Sequence, residues 1–385
     1  MGHHDEFNEP IYDSSDDDEL TILINKHTEK KHIIKPTQPE TYKEIIIQIS
    51  TMMLMIFTVT MMIGFSLSKL SKISINERKD DVFFLIVGDY GRNGTHKQTK
   101  VAEQMNRFCS DEYTYYRRCQ FIVGTGDNFY KNGVTNVNDE NFETSFLNIY
   151  NQEYLKDIQW RQILGNHDYH GNPEAQTRFK NKQWYMPFLF YSSKFSTQTM
   201  DIKMIHLDTT PFLEFKANKF NRSAYVTGRS MIDDQLHMLE HEIEKTNENT
   251  WLFVIGHHPI YSATNTENSN GFDGHLEPIR RIIERQRNRI NGYFSGHSHA
   301  LQALRMGNLN YLVSGAGSKT LKSKHMKKHP DKYKKMLSGF LKNFLLIRYQ
   351  EEAGFIRVHM KPSTMIIWFI NHKGKVTWST HIKKK

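Results

Sequence analysis

The stretch Val82-Phe83-Phe84-Leu85-Ile86-Val87-Gly88-Asp89-Tyr90-Gly91 sets six apolar residues directly against a glycine–aspartate turn. An uninterrupted apolar run of this length predicts a strand buried on both faces, as in a parallel sheet. The turn then delivers a carboxylate at the strand's C-terminal end, where open α/β sheets bind their ligands. The same pattern recurs down the chain. Gly126-Asp127-Asn128-Phe129-Tyr130 follows the apolar residues 121–123, and Gly165-Asn166-His167-Asp168 follows Ile163-Leu164. Gly256-His257-His258-Pro259 follows 251–255, and Gly296-His297-Ser298-His299 follows Tyr293-Phe294. One such string is an ordinary strand-to-loop turn, but the ordered series supplies seven metal-ligating side chains.

Between the runs lie helical patterns. Asp233 or Asp234 is placed to cap a helix whose Leu236, Leu239 and Ile243 share one face, and Ile279, Ile282 and Ile283 do likewise in a basic helix. Further strands are expected at 204–207 and 311–313. The alternation predicts an α/β domain. Near the C-terminus the pattern changes: 365–370, the turn Asn371-His372-Lys373-Gly374 and 376–380 read as a hairpin.

Upstream of Val82 the chain differs in kind. Residues 1–44 include the acidic run Asp13-Ser14-Ser15-Asp16-Asp17-Asp18-Glu19 and too little apolar content for a core, so a disordered polar tail is expected. Residues 45–68 carry no charge and are long enough to cross a membrane as one helix. They read as a single-pass anchor, joined by a linker, 69–80, to a globular domain, 81–385. Lysines flank the apolar segment on both sides, so the positive-inside rule leaves the orientation open. The acceptor triplets Asn93-Gly94-Thr95 and Asn221-Arg222-Ser223 favour a lumenal or extracellular domain.

The net charge of +9 raises the question of nucleic acid, but the basic residues are scattered, densest over 319–335, and no arginine–aromatic platform for bases is evident. No nucleic-acid partner is expected. The two cysteines, Cys109 and Cys119, exclude a zinc–thiolate site. They bridge if the compartment is oxidising and stay thiols if it is reducing.

Holding two multivalent cations side by side requires a carboxylate that bridges them, and either Asp89 or Asp127 can do so on physical grounds. His297 and His299, two apart, point the same way on an extended segment. With Asn166 and His257 on comparable strand ends, they predict a two-metal site.

Over about residues 83–382 these strings resemble the calcineurin-like metallophosphoesterases, and more narrowly the small, mammalian-type (tartrate-resistant) purple acid phosphatases. Gly126-Asp127-Asn128-Phe129-Tyr130 with Gly133-Val134 is similar to that family's second motif. Leu207-Asp208-Thr209, Gln235-Leu236 with Leu239-Glu240, and Ser314-Gly315-Ala316-Gly317 are also family-like. Tyr130 discriminates, because the related phosphoprotein phosphatases carry no tyrosine there.

The resemblance implies a four-layer αββα sandwich of two mixed β-sheets flanked by helices. It implies that Asp89, Tyr130 and His299 hold Fe(III), that Asn166, His257 and His297 hold Fe(II), Zn(II) or Mn(II), and that Asp127 is shared. It further implies a monomeric acid phosphatase that hydrolyses phosphomonoesters through a metal-bound hydroxide, with His167 donating to phosphate or protonating the leaving group. Asp168 is read either as orienting His167 or as structuring its loop, and His258 as lining the pocket. The family's second outer-sphere histidine falls on Thr266, a departure that leaves His275 as a substitute or a surface residue. The basic connection 211–232, with Lys216, Lys219, Arg222 and Arg229, resembles the loop that overhangs the metals in that family. A membrane-tethered scaffold without catalysis has no use for the seven ligands, and Tyr130 argues against a phosphodiesterase or nuclease.

Overall fold

The computed structural model describes residues 39–78, 80–110, 118–214, 228–264, 274–321 and 344–385. The tail 1–38, the 111–116 connector, Asn221, Thr266, most of the 211–232 connection and most of the lysine run lie outside the described residues.

Both faces of the first apolar run are used. Strand β1 (Val82–Val87) sends Phe83, Leu85 and Val87 into one hydrophobic cluster and Val82, Phe84 and Ile86 into another. It lies parallel to β2 (Phe121–Gly124), which is followed across the sheet by β3 (Gln159–Arg161) and β4 (Trp184–Tyr185), all parallel. The second sheet takes the middle of the chain: β5 (Tyr191–Ser196), β6 (Asp201–Leu207), β7 (Thr250–Gly256), β8 (Gly292–Ser295), β9 (Leu301–Met306), β10 (Leu309–Ser314) and β11 (Phe344–Gln350). The chain then returns to the first sheet as β12 (Gly354–Met360), β13 (Thr364–Asn371) and β14 (Val376–Lys383).

The two strand orders are β14-β13-β12-β1-β2-β3-β4 and β11-β9-β10-β8-β7-β6-β5. Both sheets are mixed: β1 pairs antiparallel with β12, while β10 is parallel to β8 and antiparallel to β9. Trp251, Phe253 and Ile255 of β7 meet Phe84, Ile86 and Val123 of the first sheet in the shared central cluster. Leu252 and Val254 point the other way, towards the helices Gly228–Glu244 and Glu277–Arg285 through Leu239, Ile243, Ile279 and Ile283. The first sheet's outer face is covered by the helix Gln98–Phe108 through Val101, Ala102 and Met105. This is the four-layer αββα sandwich. Alternation of side chains across each pleat, with both faces buried, explains why the strands read as continuous apolar runs.

Cys109 and Cys119 form a disulfide, with Cα atoms 5.1 Å apart, tying the end of the helix Gln98–Phe108 to the approach to β2. The hairpin β13–β14 forms as expected.

Some elements depart from the sequence expectation. The strand near Ile163-Leu164 ends earlier, at Arg161, because the Asn128 side chain takes the Ile163 carbonyl at 2.8 Å, in place of a neighbouring strand. The helix expected to be capped at Asp233 or Asp234 starts at Gly228, so both aspartates are exposed on its second turn rather than at its N-cap. The N-terminal helix spans Pro39–Arg78, longer at both ends than the uncharged stretch 45–68. Pro39 opens it, a position where a missing N–H costs nothing. Its apolar part, Tyr42–Phe65, is 24 residues long and none of it is buried.

Candidate metal centre

Six of the seven sequence-predicted donors sit in loops that directly follow a strand, and Asn166 lies five residues beyond β3, which stops at Arg161. Asp89 follows β1, Asp127 and Tyr130 follow β2, His257 follows β7, and His297 and His299 follow β8. Three of them, Asp89 (φ 60°), Asp127 (φ 54°) and His297 (φ 61°), adopt the left-handed conformation that non-glycine residues rarely occupy. Such strain persists where surrounding bonds over-determine it, and here they do. The Asp89 amide donates to the Gly126 carbonyl at 3.0 Å, and the His297 amide donates to Asp89 Oδ2 at 2.8 Å. The His167 amide donates to Asp127 Oδ1 at 2.9 Å. Gly165 permits this approach, since a β-carbon there would collide with the Asp127 amide and carboxylate.

All seven donors converge, in two groups. In the first, the Tyr130 hydroxyl lies 3.0 Å from Asp89 Oδ1, 2.7 Å from Asp127 Oδ2 and 3.0 Å from His299 Nε2. In the second, Asn166 Oδ1 lies 3.2 Å from His257 Nε2 and 3.1 Å from His297 Nδ1, while His257 Nε2 is 3.4 Å from Asp127 Oδ1. Asp127 therefore faces both groups with different oxygens. Asp89 turns Oδ1 to the first group and accepts the His297 amide with Oδ2, much as Asp127 Oδ1 accepts the His167 amide while facing the second group.

The donor chemistry fits cations. His257 Nδ1 lies 2.8 Å from the Thr125 carbonyl, which holds the proton on that nitrogen and leaves the Nε2 lone pair aimed at two oxygens. A lone pair facing Asn166 Oδ1 and Asp127 Oδ1 calls for a positive centre between them. Burial alone would lower the His257 imidazole, but the Asp127 and Asp89 carboxylates bring it above its ordinary value. Burial would likewise raise Asp127, yet His257, His167 and the Tyr130 hydrogen bond bring it below. Burial and then the same two carboxylates push the Tyr130 phenol well up. A metal ion inverts that last balance, since it favours the deprotonated ligand.

His167 projects beside this array, its ring 4.4 Å from that of Tyr130 and its Nδ1 2.8 Å from the Lys131 carbonyl, which leaves Nε2 without a hydrogen bond among the described residues. Of the two readings of Asp168, the bonds select loop structuring. Its carboxylate accepts from the amides of Asn128, Phe129 and Gly165 and from the Gln176 side chain, and not, among the described residues, from His167. His258 is buried, held by Thr209 Oγ1 at 2.9 Å, with its ring 4.5 Å from that of His297. His275 is exposed in the short turn Gly274–Leu276.

Sequence reasoning missed Thr125 and Arg92. Thr125 acts through its carbonyl, which leaves no side-chain signal. Arg92, directly after Gly-Asp-Tyr-Gly, reads as a solvated loop residue, yet its guanidinium lies 3.3 Å from the centroid of the Tyr130 ring.

Comparison with known proteins agrees with this geometry. The family model described as calcineurin-like phosphoesterase matches residues 84–301. Purple acid phosphatase 7 of Arabidopsis thaliana is 30% identical over 343 residues, covering 86% of this chain and 96% of the relative. Human tartrate-resistant acid phosphatase type 5 is 27% identical over 312 residues, 78% of this chain and 91% of the relative. Among solved structures, the Plasmodium protein described as "GAP50 the anchor in the inner membrane complex" aligns with a TM-score of 0.63 at 20% identity, over 80% of this chain and 90% of its own. Purple acid phosphatase PPD1 from yellow lupin aligns with a TM-score of 0.56 at 13% identity, over 80% and 54%. These two structural likenesses carry the fold alone; the family match and the sequence relatives carry the rest. The chain belongs to the calcineurin-like phosphoesterase family and is a purple acid phosphatase-like hydrolase.

Proposed function

We propose that this protein is a membrane-anchored acid phosphatase that hydrolyses phosphate monoesters at a dinuclear metal centre. Asp89, Tyr130 and His299 hold an Fe(III) ion, Asn166, His257 and His297 hold Fe(II), Zn(II) or Mn(II), and Asp127 is shared. The observation that carries the reading is the division of the Asp127 carboxylate between the two donor groups. A phenolate, two carboxylates and an imidazole form a hard, anionic set suited to a trivalent ion, whereas the amide and two imidazoles suit a divalent one. When bound, the ions supply Lewis-acid charge and lower the pKa of water from about 15.7 towards 7.

The chain's own residues do the rest. The amides of His167 and His297 fix the two carboxylates, and the Thr125 carbonyl fixes the His257 tautomer. His167 presents Nε2, with Nδ1 bonded to the Lys131 carbonyl, so that it donates to a phosphate oxygen or to the departing alkoxide.

The helix Pro39–Arg78 serves as the anchor. Its apolar part of 24 residues, at about 1.5 Å per residue, exceeds the roughly 30 Å hydrocarbon layer. The Cys109–Cys119 disulfide and the exposed Asn93 triplet support placing the catalytic domain on the lumenal or extracellular side. The test is to purify the domain from about Asp81, measure its metal content and visible spectrum, and titrate phosphomonoester and phosphodiester hydrolysis against pH. Two metals, a phenolate absorption band and monoesterase activity at acid pH are expected; fewer than two metals with no band would overturn the reading.

A further inference from the structure

The Tyr130 ring is the place where the first two donor loops meet. The Tyr130 amide donates to the Gly91 carbonyl at 2.8 Å, and a β-carbon on Gly91 would collide with the Asn128 carbonyl, so only glycine allows the two loops to lie this close. The next residue, Arg92, is thereby carried over the face of the phenol. Its guanidinium carbon lies 3.3 Å from the ring centroid, close enough for stacking rather than a distant charge contact.

Arg92 is also tethered from behind. Its Nε donates to Ser318 Oγ at 3.1 Å, and Ser318 Oγ donates to the Asp89 carbonyl at 2.5 Å. The Arg92 amide is held by Gln98 Oε1 at 2.9 Å. Three elements fix the arginine: the first donor loop, the start of the helix Gln98–Phe108 and the loop after β10. A solvated surface arginine needs none of these bonds.

We infer that Arg92 is a positioning residue that tunes Tyr130 as an iron donor by holding a planar cation against the face of its ring. This rests on Tyr130 being a ligand of Fe(III). At the hydroxyl end of the ring stand the Asp89 and Asp127 carboxylates, which raise the energy of the ring's π electrons. At its face stands Arg92, which lowers it. The guanidinium thus offsets the carboxylates and sets how strongly the phenolate gives electron density to the metal. The colour of the loaded protein reports that balance, because its visible band is the transfer of charge from phenolate to iron. Lowering the donor level widens the gap, so the stacked arginine holds the band at shorter wavelength.

The test uses the full, metal-loaded protein with Arg92→Met and Arg92→Gln, which keep much of the side chain's bulk and remove its charge, beside Tyr130→Phe. The visible maximum of either neutral variant is expected to move to longer wavelength, by on the order of 10 nm for loss of one cation–π contact, at unchanged iron content. An unmoved maximum in an iron-replete neutral variant would overturn the inference. Should both neutral variants shed iron, a double-mutant cycle between Arg92→Met and Tyr130→Leu, which removes the ring, on the thermal midpoint of the metal-free protein decides it. Losses smaller in the double variant than the sum of the single ones support the contact, and additive losses refute it. If the wild type has no band, or its band survives in Tyr130→Phe, the failure belongs to the assignment of Tyr130 as an iron ligand.

Discussion

Asp127 Oδ2 lies 2.7 Å from the Tyr130 hydroxyl while Asp127 Oδ1 lies 3.4 Å from His257 Nε2, so one carboxylate faces both halves of the donor array. Its left-handed backbone and the His167 amide hold it in that attitude. Asp127→Asn is expected to empty both metal positions, whereas His297→Ala, on one side only, should empty one. The loss of metal affinity in Asp127→Asn should exceed the roughly 10–100-fold typical of outer-shell changes. Metal analysis after dialysis checks this; equal stoichiometry in the two variants would count against the shared role.

Tyr130→Phe keeps the ring, its contact with Arg92 and its packing beside His167, and removes only the oxygen. The variant should fold with a near-native thermal midpoint, lose the visible band and fall in monoesterase activity by at least about 10²-fold, the scale of losing one electrostatic stabiliser. Visible spectroscopy beside circular dichroism reads both halves of the prediction.

Gly165→Ala places a methyl group against the Asp127 amide and carboxylate and near the His257 ring. Overpacking of this kind costs about 1–3 kcal/mol. Here it should also displace Asp127, so metal content is expected to fall along with the melting temperature. A variant that melts earlier yet binds two metals would separate fold from site and refute the coupling.

Burial pushes the Asp208 carboxyl up to about 7, even though Tyr169 Oη and the Thr210 amide donate to it. An unfolded aspartate titrates near 3.9, so across that interval the folded state keeps a proton that the unfolded chain has released. This contribution to stability is complete below about pH 4 and is lost as pH rises through about 7. Asp208→Asn, which does not titrate, should show a flatter profile. Urea midpoints at intervals between pH 4 and 7 test it: parallel curves for the two proteins would exclude Asp208 as a source of acid tolerance.

The disulfide closes a short loop, with Cys109 and Cys119 ten positions apart. Its removal by Cys109→Ala with Cys119→Ala is expected to lower stability by about 2–4 kcal/mol, while the donors on β7 and β8 stay in place. Denaturant titration of the double variant measures the first, and metal content measures the second.

The sequence by itself marked the buried strands and the seven candidate donors, while β4, β5, β9, β11 and β12 carried no such mark. Val82–Val87 and Thr250–Gly256 are buried on both faces, so their burial is written as unbroken apolar runs, and a glycine with a polar residue marks where each ends. Six of the candidate donors were legible because each follows such an ending, and Asn166 through Gly165 although its strand stops at Arg161. Tertiary structure decided what each donor faces. His297 and Asp89 are 208 positions apart, and only their apposition gives Asp89 Oδ2 a backbone amide, just as only the folded loops set Asp127 between Tyr130 and His257. Asp168 was equally a candidate to orient His167 until four donors were seen to claim it, and Arg92 carried no local signal of its stack on Tyr130. Local patterning records whether a residue is buried and on which face of its strand or helix it lies. The direction of a lone pair or a cation depends on loops brought together from distant parts of the chain.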